Sequence, residues 1–205
     1  MGSIYWTFDV HTAVMSMSSF RAAPRKVHLE RFKRIYRHLS RFKHFKIRFR
    51  VEEPDMSGFY NKTRFDRSTT VFGNPTEELP TNTPEPLGKR VTLIHYFDAN
   101  LMHDVLSGKA VTGCLHLANK TPMIWYSKKQ ATSETDAYGS EFISGRMCVE
   151  QVVDLQNSFR YLGVPVNVIR YVFGENESMI NSSSFLHAKL HKRHIYCLIT
   201  MFEAW

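Results

Sequence analysis

Residues 91–128 read VTLIHYFDANLMHDVLSGKAVTGCLHLANKTPMIWYSK, and this stretch decides the fold class. It holds three runs that are rich in β-branched and aromatic residues, the types that favour strands: residues 91–97, 111–118 and 123–128. Turn signals separate the runs, namely Ser107-Gly108-Lys109 and residues 119–122. Three strands joined by short turns predict an antiparallel meander, whose first strand runs directly into Asp98.

A long amphipathic helix is predicted after the meander, from residue 136 to about residue 162. Its apolar stripe advances in steps of four and three residues: Cys148, Val152, Leu155, Phe159 and Leu162. Extended backwards, the stripe reaches Gly145 and then Glu141, so an acidic residue lies on the face that should pack against the sheet. The Leu-Gly-Val-Pro run at 162–165 ends the helix, and residues 168–173 predict a fourth strand.

A strand, a long crossover helix and a further strand favour parallel pairing with a right-handed connection. The predicted fold class is therefore α/β, with a mixed sheet in which an antiparallel meander is joined by a parallel fourth strand. That topology would bring Asp98, Glu141 and Glu175 to one edge of the sheet. Carboxylate oxygens suit Mg²⁺ or Mn²⁺, and two such ions would support hydrolysis of a phosphodiester.

Each of these acids also has a simpler interpretation. An Asp or Glu at a strand end is usually a turn or cap residue, and the helix dipole favours Glu141 near a helix start. Glu134 and Asp136 precede the helix body, and we expect them to cap it rather than to join the site. Three acids at equivalent structural positions favour a shared site.

The basic residues concentrate at the N-terminal end. The formal net charge is +8, but residues 1–50 carry 12 basic and 2 acidic side chains, whereas residues 51–205 carry 15 basic and 17 acidic ones. Apolar residues spaced by three and four predict an amphipathic helix over residues 24–45. The strict alternation of residues 45–51 (FKIRFRV) predicts a half-buried strand with one basic face.

A basic helix followed by a basic strand predicts contact with nucleic-acid phosphates, because neutralising each phosphate releases counterions. The alternative is a solvated face that is merely rich in Lys and Arg, but Glu30 is the single acid in this segment, which favours the first interpretation. The predicted phosphate-contacting residues of the segment are Arg31, Lys33, Arg34, Arg37, Arg41 and Lys43.

Composition and cysteine spacing bound the remaining possibilities. A hydrophobic content of 43% excludes global disorder, and five of the eight prolines predict a loop-rich linker or insertion over residues 52–89. The three cysteines are far apart and form no C-x-x-C pair, so neither a disulfide framework nor a cysteine zinc site is predicted. His187, His191 and His194 have helical spacing, which is more typical of a basic surface than of a metal site.

We expect an intracellular protein without a membrane segment. No apolar run approaches the ~20 residues needed to span a bilayer, and the N-terminus lacks the basic-then-apolar order of a signal peptide.

Several short motifs accompany the predicted elements: Asp98-Ala99-Asn100 with Asp104 and Thr112-Gly113, residues 125–130 (WYSKKQ), Ser140-Glu141-Phe142, residues 174–178 (GENES) and Lys192-Arg193-His194-Ile195. In this order they resemble the ribonuclease H domain of copia-type LTR retrotransposon polyproteins. That family carries W-x-S-K-K-Q on its third strand, A-E-Y at the start of the long helix, and the runs D-N-x-S and K-H-I. Residues 8–14 (FDVHTAV) and 33–39 (KRIYRHL) are similar to the end of the family's reverse transcriptase.

The resemblance implies a division of the chain into a reverse transcriptase remnant (1–51), a Pro-rich linker (52–89) and an RNase H-like domain (90–205). It implies cleavage of RNA in an RNA–DNA hybrid with two Mg²⁺ or Mn²⁺ ions, with Asp98, Glu141 and Glu175 as metal ligands. Four further residues would contact the substrate: Lys128, Lys129, Lys192 and Arg193. The partners would be the hybrid and the rest of the polyprotein, in a cytoplasmic particle or the nucleus.

Two departures from the family pattern predict impaired activity and leave the enzyme assignment open. Glu175 stands where the family has Asp, and Trp205 is reached before the family's last strand and final helix. The alternatives are a nucleic-acid-binding remnant without catalysis and a degenerate fragment without activity.

Overall fold

The structure is a computed structural model that describes residues 10, 13–14, 16–44, 48–57, 81–104, 107–167 and 170–184. Its helices and strands, in chain order, are α1 (Lys26–Arg41), β1 (Leu93–Asp104), β2 (Lys109–Ala118), β3 (Thr121–Lys129), α2 (Ala137–Tyr161), β4 (Tyr171–Phe173) and α3 (Glu177–Ser184).

The four strands form one mixed sheet in the order β3-β2-β1-β4. Strands β1, β2 and β3 pair antiparallel as a meander, and β4 pairs parallel to β1, with Ile94 opposite Tyr171. A bridge between Val91 and Val166 extends the parallel pairing beyond the strand ends. The predicted mixed α/β sheet, with its meander and parallel fourth strand, is confirmed.

Strand β1 is longer than the sequence predicts. The apolar run ends at Phe97, but the strand continues to Asp104, and Asp98 lies opposite Gly113 of β2. The backbone ladder continues through polar residues because β2 offers hydrogen-bonding partners as far as Lys109. The register shifts between Asn100 and Asp104. Asp98 is therefore an interior residue of a strand, and the expectation that it ends one is wrong.

Helix α2 packs on one face of the sheet, as its apolar stripe predicts. The core on that face comprises Phe97, Cys114, Phe142, Cys148, Val152 and Met179. The opposite face buries Ile94, Leu115 and Leu117. Asp136 caps α2 by accepting a hydrogen bond from the Gly139 N–H at 2.7 Å, which confirms its predicted role.

Helix α1 forms where the sequence predicts it, but its apolar face is not covered within the described residues. None of its residues is buried, and Tyr36 is 70% exposed. Residues 48–51 do not form the predicted strand, and residues 45–47 lie outside the described ranges. Instead, the Arg50 N–H donates to Thr121 Oγ1 at 2.6 Å, and that hydroxyl donates back to the Arg50 carbonyl. A side chain thus takes the place that a neighbouring strand would occupy.

Both described ends of the Pro-rich segment contact the sheet domain. Met56 packs against the core on the face opposite α2, and the Leu87 N–H donates to the Gly163 carbonyl at 2.8 Å. Residues 52–57 and 81–90 contain no α-helix or β-strand. Across the described ranges, no helix has both the length and the apolar character needed to cross a membrane.

Candidate active site

The parallel pairing of β1 with β4 sets two of the three acids at the same level of the sheet. Tyr96 lies opposite Phe173, and Asp98 and Glu175 each follow two residues later. Glu141 lies in the second turn of α2, which packs across β1. Nearby, Ser144 Oγ donates to the Asp98 carbonyl oxygen at 2.7 Å and ties the helix to the strand.

A close contact around Phe97 fixes the spacing between these elements. A Cβ atom at Gly145 would lie 3.2 Å from the Phe97 ring and 2.5 Å from Met179 Cε, and one at Gly174 would overlap the same ring. Both positions therefore need glycine for close approach. Phe97 precedes Asp98, Gly145 lies one turn after Glu141, and Gly174 precedes Glu175. The contact thus holds together the three segments that carry the acids.

Glu141 is the buried member of the group, with 7% of its surface exposed, whereas Asp98 and Glu175 are exposed. Burial is the main cause that raises the pKa of Glu141, to about 7. The charge of Asp98, a hydrogen bond between the two carboxyl groups and the charge of Glu175 raise this pKa further, while a hydrogen bond from the Ala99 N–H opposes them. Among the described residues, the Glu141 Oε2 atom has no hydrogen-bonding partner.

The donor chemistry of the three acids is that of a hard divalent cation, although their carboxyl oxygens do not all lie within 4.8 Å of one another. The charges of Asp98 and Glu175 act on Glu141, and one oxygen of this buried carboxyl has no hydrogen-bonding partner within the described residues. A cation would offset the mutual repulsion and would satisfy that oxygen, and Mg²⁺ and Mn²⁺ prefer such all-oxygen ligand sets.

A second group of potential ligands is more compact, although the wide spacing of the cysteines along the chain argued against a cysteine metal site. Within the described part of the chain, Cys114, His116 and Cys148 have ligand atoms that all lie within 4.8 Å of one another, and all three residues are buried. The carboxylates are not part of this group. One signal was available, because Cys114 and His116 alternate on a predicted strand and Cys148 stands on the predicted stripe of α2.

The basic residues predicted to contact nucleic acid lie at the surface where they are described. Six of them are exposed on α1 and just after it: Arg31, Lys33, Arg34, Arg37, Arg41 and Lys43. Among these, Lys33 pairs with Glu30 at 2.7 Å. Lys128 is exposed on β3, and Lys129 is partly buried. Lys192 and Arg193 lie outside the described residues, as do the three histidines at 187, 191 and 194.

Lys128 stands close to the level of the acids. Asp98 of β1 lies opposite Gly113 of β2, and Gly113 lies opposite Ser127 of β3. Ser127 therefore shares a cross-strand row with Asp98, and Lys128 is the next residue after Ser127. Two strand spacings separate the ends of this row, about 10 Å.

Comparisons with known proteins give no relative: no protein-family model, no curated protein and no solved structure matches this chain. The function is therefore inferred from the residues of the site and from the motif resemblance described above.

Proposed function

We propose that this chain contains an RNase H-like nuclease domain of a copia-type retrotransposon polyprotein. It would hydrolyse the RNA strand of RNA–DNA hybrids with two Mg²⁺ or Mn²⁺ ions held by Asp98, Glu141 and Glu175. The observation that carries this proposal is the buried Glu141 carboxyl, whose pKa is raised to about 7 by burial and by the two other acids. The sheet order β3-β2-β1-β4 also supports an RNase H-like arrangement.

A buried acid beside two exposed ones is costly for stability alone. At neutral pH the ionised form of Glu141 is disfavoured, because burial and like charges both oppose it. Residues with strongly perturbed pKa values concentrate at functional sites, where a bound cation or substrate offsets the repulsion. A purely structural role would favour an apolar or amide residue at this position of α2.

The three acids would have different roles because they differ in exposure to solvent. Glu141 is held by the packing of α2, whereas Asp98 and Glu175 are exposed and have room to orient towards an ion. When Mg²⁺ binds, it supplies activation of the attacking water and stabilisation of the leaving oxygen. Glu141 would release the proton that its raised pKa retains and would hold the ion as a carboxylate. Glu175 has one methylene more than the family's Asp, and we expect lower activity because reacting groups tolerate little displacement.

Substrate binding would use the exposed basic side chains. Lys128 lies near the level of the acids, where it would contact a phosphate next to the cleaved one. The basic residues of α1 would contact phosphates further along the hybrid, and each neutralised phosphate adds to the salt dependence of binding.

The direct test is cleavage of a labelled RNA–DNA hybrid in Mg²⁺ or Mn²⁺ by the full chain and by Asp98→Asn. We expect the variant to lose about 100-fold or more of the activity, because a ligand carboxylate has been neutralised. Asp154→Asn is the matched control, since it makes the same change at an exposed position of α2. Equal cleavage by Asp98→Asn and the unsubstituted chain would reject the proposal, and so would no cleavage by the unsubstituted chain.

A second candidate function is nucleic-acid binding without catalysis. The exposed basic surface of α1, none of whose residues is buried, favours it. Replacing Arg34, Arg37 and Arg41 by Glu should abolish hybrid binding, and the affinity of the unsubstituted chain should fall steeply with salt. Unchanged affinity in the triple variant would exclude α1 as the binding surface.

A further inference from the structure

A group of sulfur and nitrogen ligands lies in the core between the sheet and α2. Cys114 and His116 alternate on β2, and Cys148 packs against Cys114 from α2. The Sγ atoms of the two cysteines and a ring nitrogen of His116 all lie within 4.8 Å of one another. The side chains of His116 and Cys148 are completely buried, and Cys114 is 1% exposed. Solvent therefore has no part in the interactions of this group.

The spacing of these atoms is close to that of a tetrahedral metal site. Zinc binds sulfur at about 2.3 Å and imidazole nitrogen at about 2.0 Å, which puts neighbouring ligand atoms about 3.5–3.8 Å apart. The ligand atoms of the three residues all lie within 4.8 Å of one another, so each pair would have to close by about 1 Å at most. Thiolate and imidazole ligands select Zn²⁺ over Mg²⁺, so this group has a different preference from the carboxylates.

The hydrogen bonds of His116 prepare it as a ligand. Its Nε2 atom lies 2.7 Å from Gln151 Oε1, an acceptor, so Nε2 carries the proton and Nδ1 is left with a lone pair. Histidine ligands of metals characteristically donate their other N–H to such an acceptor, which fixes the ring.

His95 supplies a second, independent observation. Its Nδ1 lies 2.8 Å from His116 Nδ1 and donates to it, while its buried Nε2 has no hydrogen-bonding partner in the part of the chain that the structure describes. A buried polar atom without a partner destabilises the fold unless something else satisfies it. When an ion takes the lone pair of His116 Nδ1, His95 loses its acceptor, and a shift of its proton from Nδ1 to Nε2 would free the Nδ1 lone pair for a fourth ligand bond. The set is then Cys₂His₂, one of the usual structural zinc sets.

We propose that the chain binds one Zn²⁺ ion in its core through Cys114, His116 and Cys148, with His95 as the fourth ligand. Binding replaces two thiol protons by one dication, and both protons leave to solvent. The resulting centre of Zn²⁺ and two thiolates has no net charge, which suits an apolar core. The ion would connect β2 to α2 and would stabilise the fold.

This site does not depend on the proposed nuclease function. Cys148 lies seven residues after Glu141, about 10 Å further along α2. The two groups share no ligand, and each can be tested with the other intact.

The test begins with zinc-free full chain, to which one equivalent of Zn²⁺ or Co²⁺ is added before dialysis. We expect one retained ion per chain and, with Co²⁺, the visible bands of a tetrahedral site together with a thiolate charge-transfer band. Cys114→Ala and Cys148→Ala should each weaken binding by about 100-fold or more. Cys197→Ala is the matched control, because it removes the remaining cysteine and should bind as the unsubstituted chain does. Retention of the thiolate band in both core variants would overturn the proposal, and so would failure of the unsubstituted chain to bind zinc.

X-ray absorption of the zinc-loaded unsubstituted chain decides the question even where the alanine variants do not fold. We expect two sulfur neighbours and imidazole nitrogen in the first coordination sphere. A first coordination sphere that contains only oxygen and nitrogen would refute the proposed zinc site. Asp98→Asn should bind zinc as the unsubstituted chain does, so a failure of the nuclease proposal and a failure of the zinc proposal give different results.

Discussion

Two groups of potential ligands lie on the same face of α2, two helical turns apart, and they differ in almost every respect. Glu141 stands at the end where Asp98 and Glu175 are exposed, and its neighbours add negative charge. Cys148 stands deeper, where Cys114 and His116 are fully covered. The contact with Cys114 and burial raise the pKa of the Cys148 thiol, and burial lowers the pKa of His116, so both of these groups stay neutral. Access to water thus separates a charged oxygen site from a neutral sulfur and nitrogen site along one helix.

The difference has consequences of opposite sign for stability. A carboxyl buried among acids destabilises the metal-free fold, so removing its charge should help folding. A thiol in an apolar core packs as a small hydrophobic residue, so removing it should harm folding. Substitutions at the two positions can therefore separate stabilisation from function.

The largest effect is expected from Glu141→Gln on hybrid cleavage. The amide keeps the shape of the side chain but cannot supply a negative ligand, and we expect a loss of about 10³-fold, or ~4 kcal/mol of transition-state stabilisation. Single-turnover cleavage at saturating Mg²⁺ measures it. Glu150→Gln, an exposed change on the same helix, should retain activity. Full activity in Glu141→Gln would show that the Glu141 carboxylate has no role in cleavage.

The same variant should be more stable than the unsubstituted chain at high pH. Because the pKa of Glu141 is raised to about 7, its folded form holds a proton that the unfolded chain loses near pH 4.5. Stability therefore falls as pH rises between these two values and stays low above pH 7. Chemical denaturation in EDTA should show that Glu141→Gln is more stable than the unsubstituted chain at pH 8, by on the order of 1 kcal/mol, and almost equal to it at pH 4. A pH-independent difference between the two proteins would contradict the raised pKa.

Gly174→Ala should destabilise the fold by about 2 kcal/mol, because the new methyl group would overlap the Phe97 ring. Gly145→Ala should cost less, since its closest contact is the flexible end of Met179. Thermal unfolding compares the two variants. Hybrid cleavage by the folded fraction should also fall in Gly174→Ala, because the substitution moves the segments that carry the acids. Equal stability of Gly174→Ala and the unsubstituted chain would show that Phe97 has room to move.

The smallest effect is expected from Cys148→Ala in EDTA, a loss of about 1 kcal/mol from a reduced core contact. Added Zn²⁺ should then raise the melting temperature of the unsubstituted chain and leave that of the variant unchanged. A zinc-induced increase of the same size in both proteins would place the ion elsewhere. Together with the stability of Glu141→Gln, this measurement tests whether substitutions at the two ligand groups change the free energy of unfolding in opposite directions.

The sequence predicted the sheet because its signals are local and the crossover rule is strong. The apolar runs around Leu93 and Leu115 predicted two adjacent strands, and the long helix between them and β4 required a parallel return. The continuation of β1 beyond Asp98 was not predicted, because it depends on backbone pairing with β2 rather than on side-chain hydrophobicity. Alternation likewise predicted a strand at 45–51 without indicating whether a neighbouring strand was available to residues 48–51.

The two ligand groups differed in how far they could be predicted. Glu141 was visible because an acid on an apolar stripe is unusual. Cys114, His116 and Cys148 show no spacing along the chain that is typical of a metal site, because the two elements that carry them meet only in the folded protein. Periodicity also predicted the apolar face of α1, but a pattern reports that a face is apolar and not what covers it.

The shortness of β4 bears on the order in which the molecule folds. Three residues of β4 pair with β1, and the whole of β2, β3 and α2 lies between them in the chain. The meander closes over short turns, whereas this pairing must close a much longer loop, so we expect it to form late. Glu175, directly after β4, would then approach Glu141 and Asp98 in one of the last steps, against their repulsion. A divalent cation that binds these acids would lower that barrier, so the proposed ion would affect the rate of folding as well as the proposed chemistry.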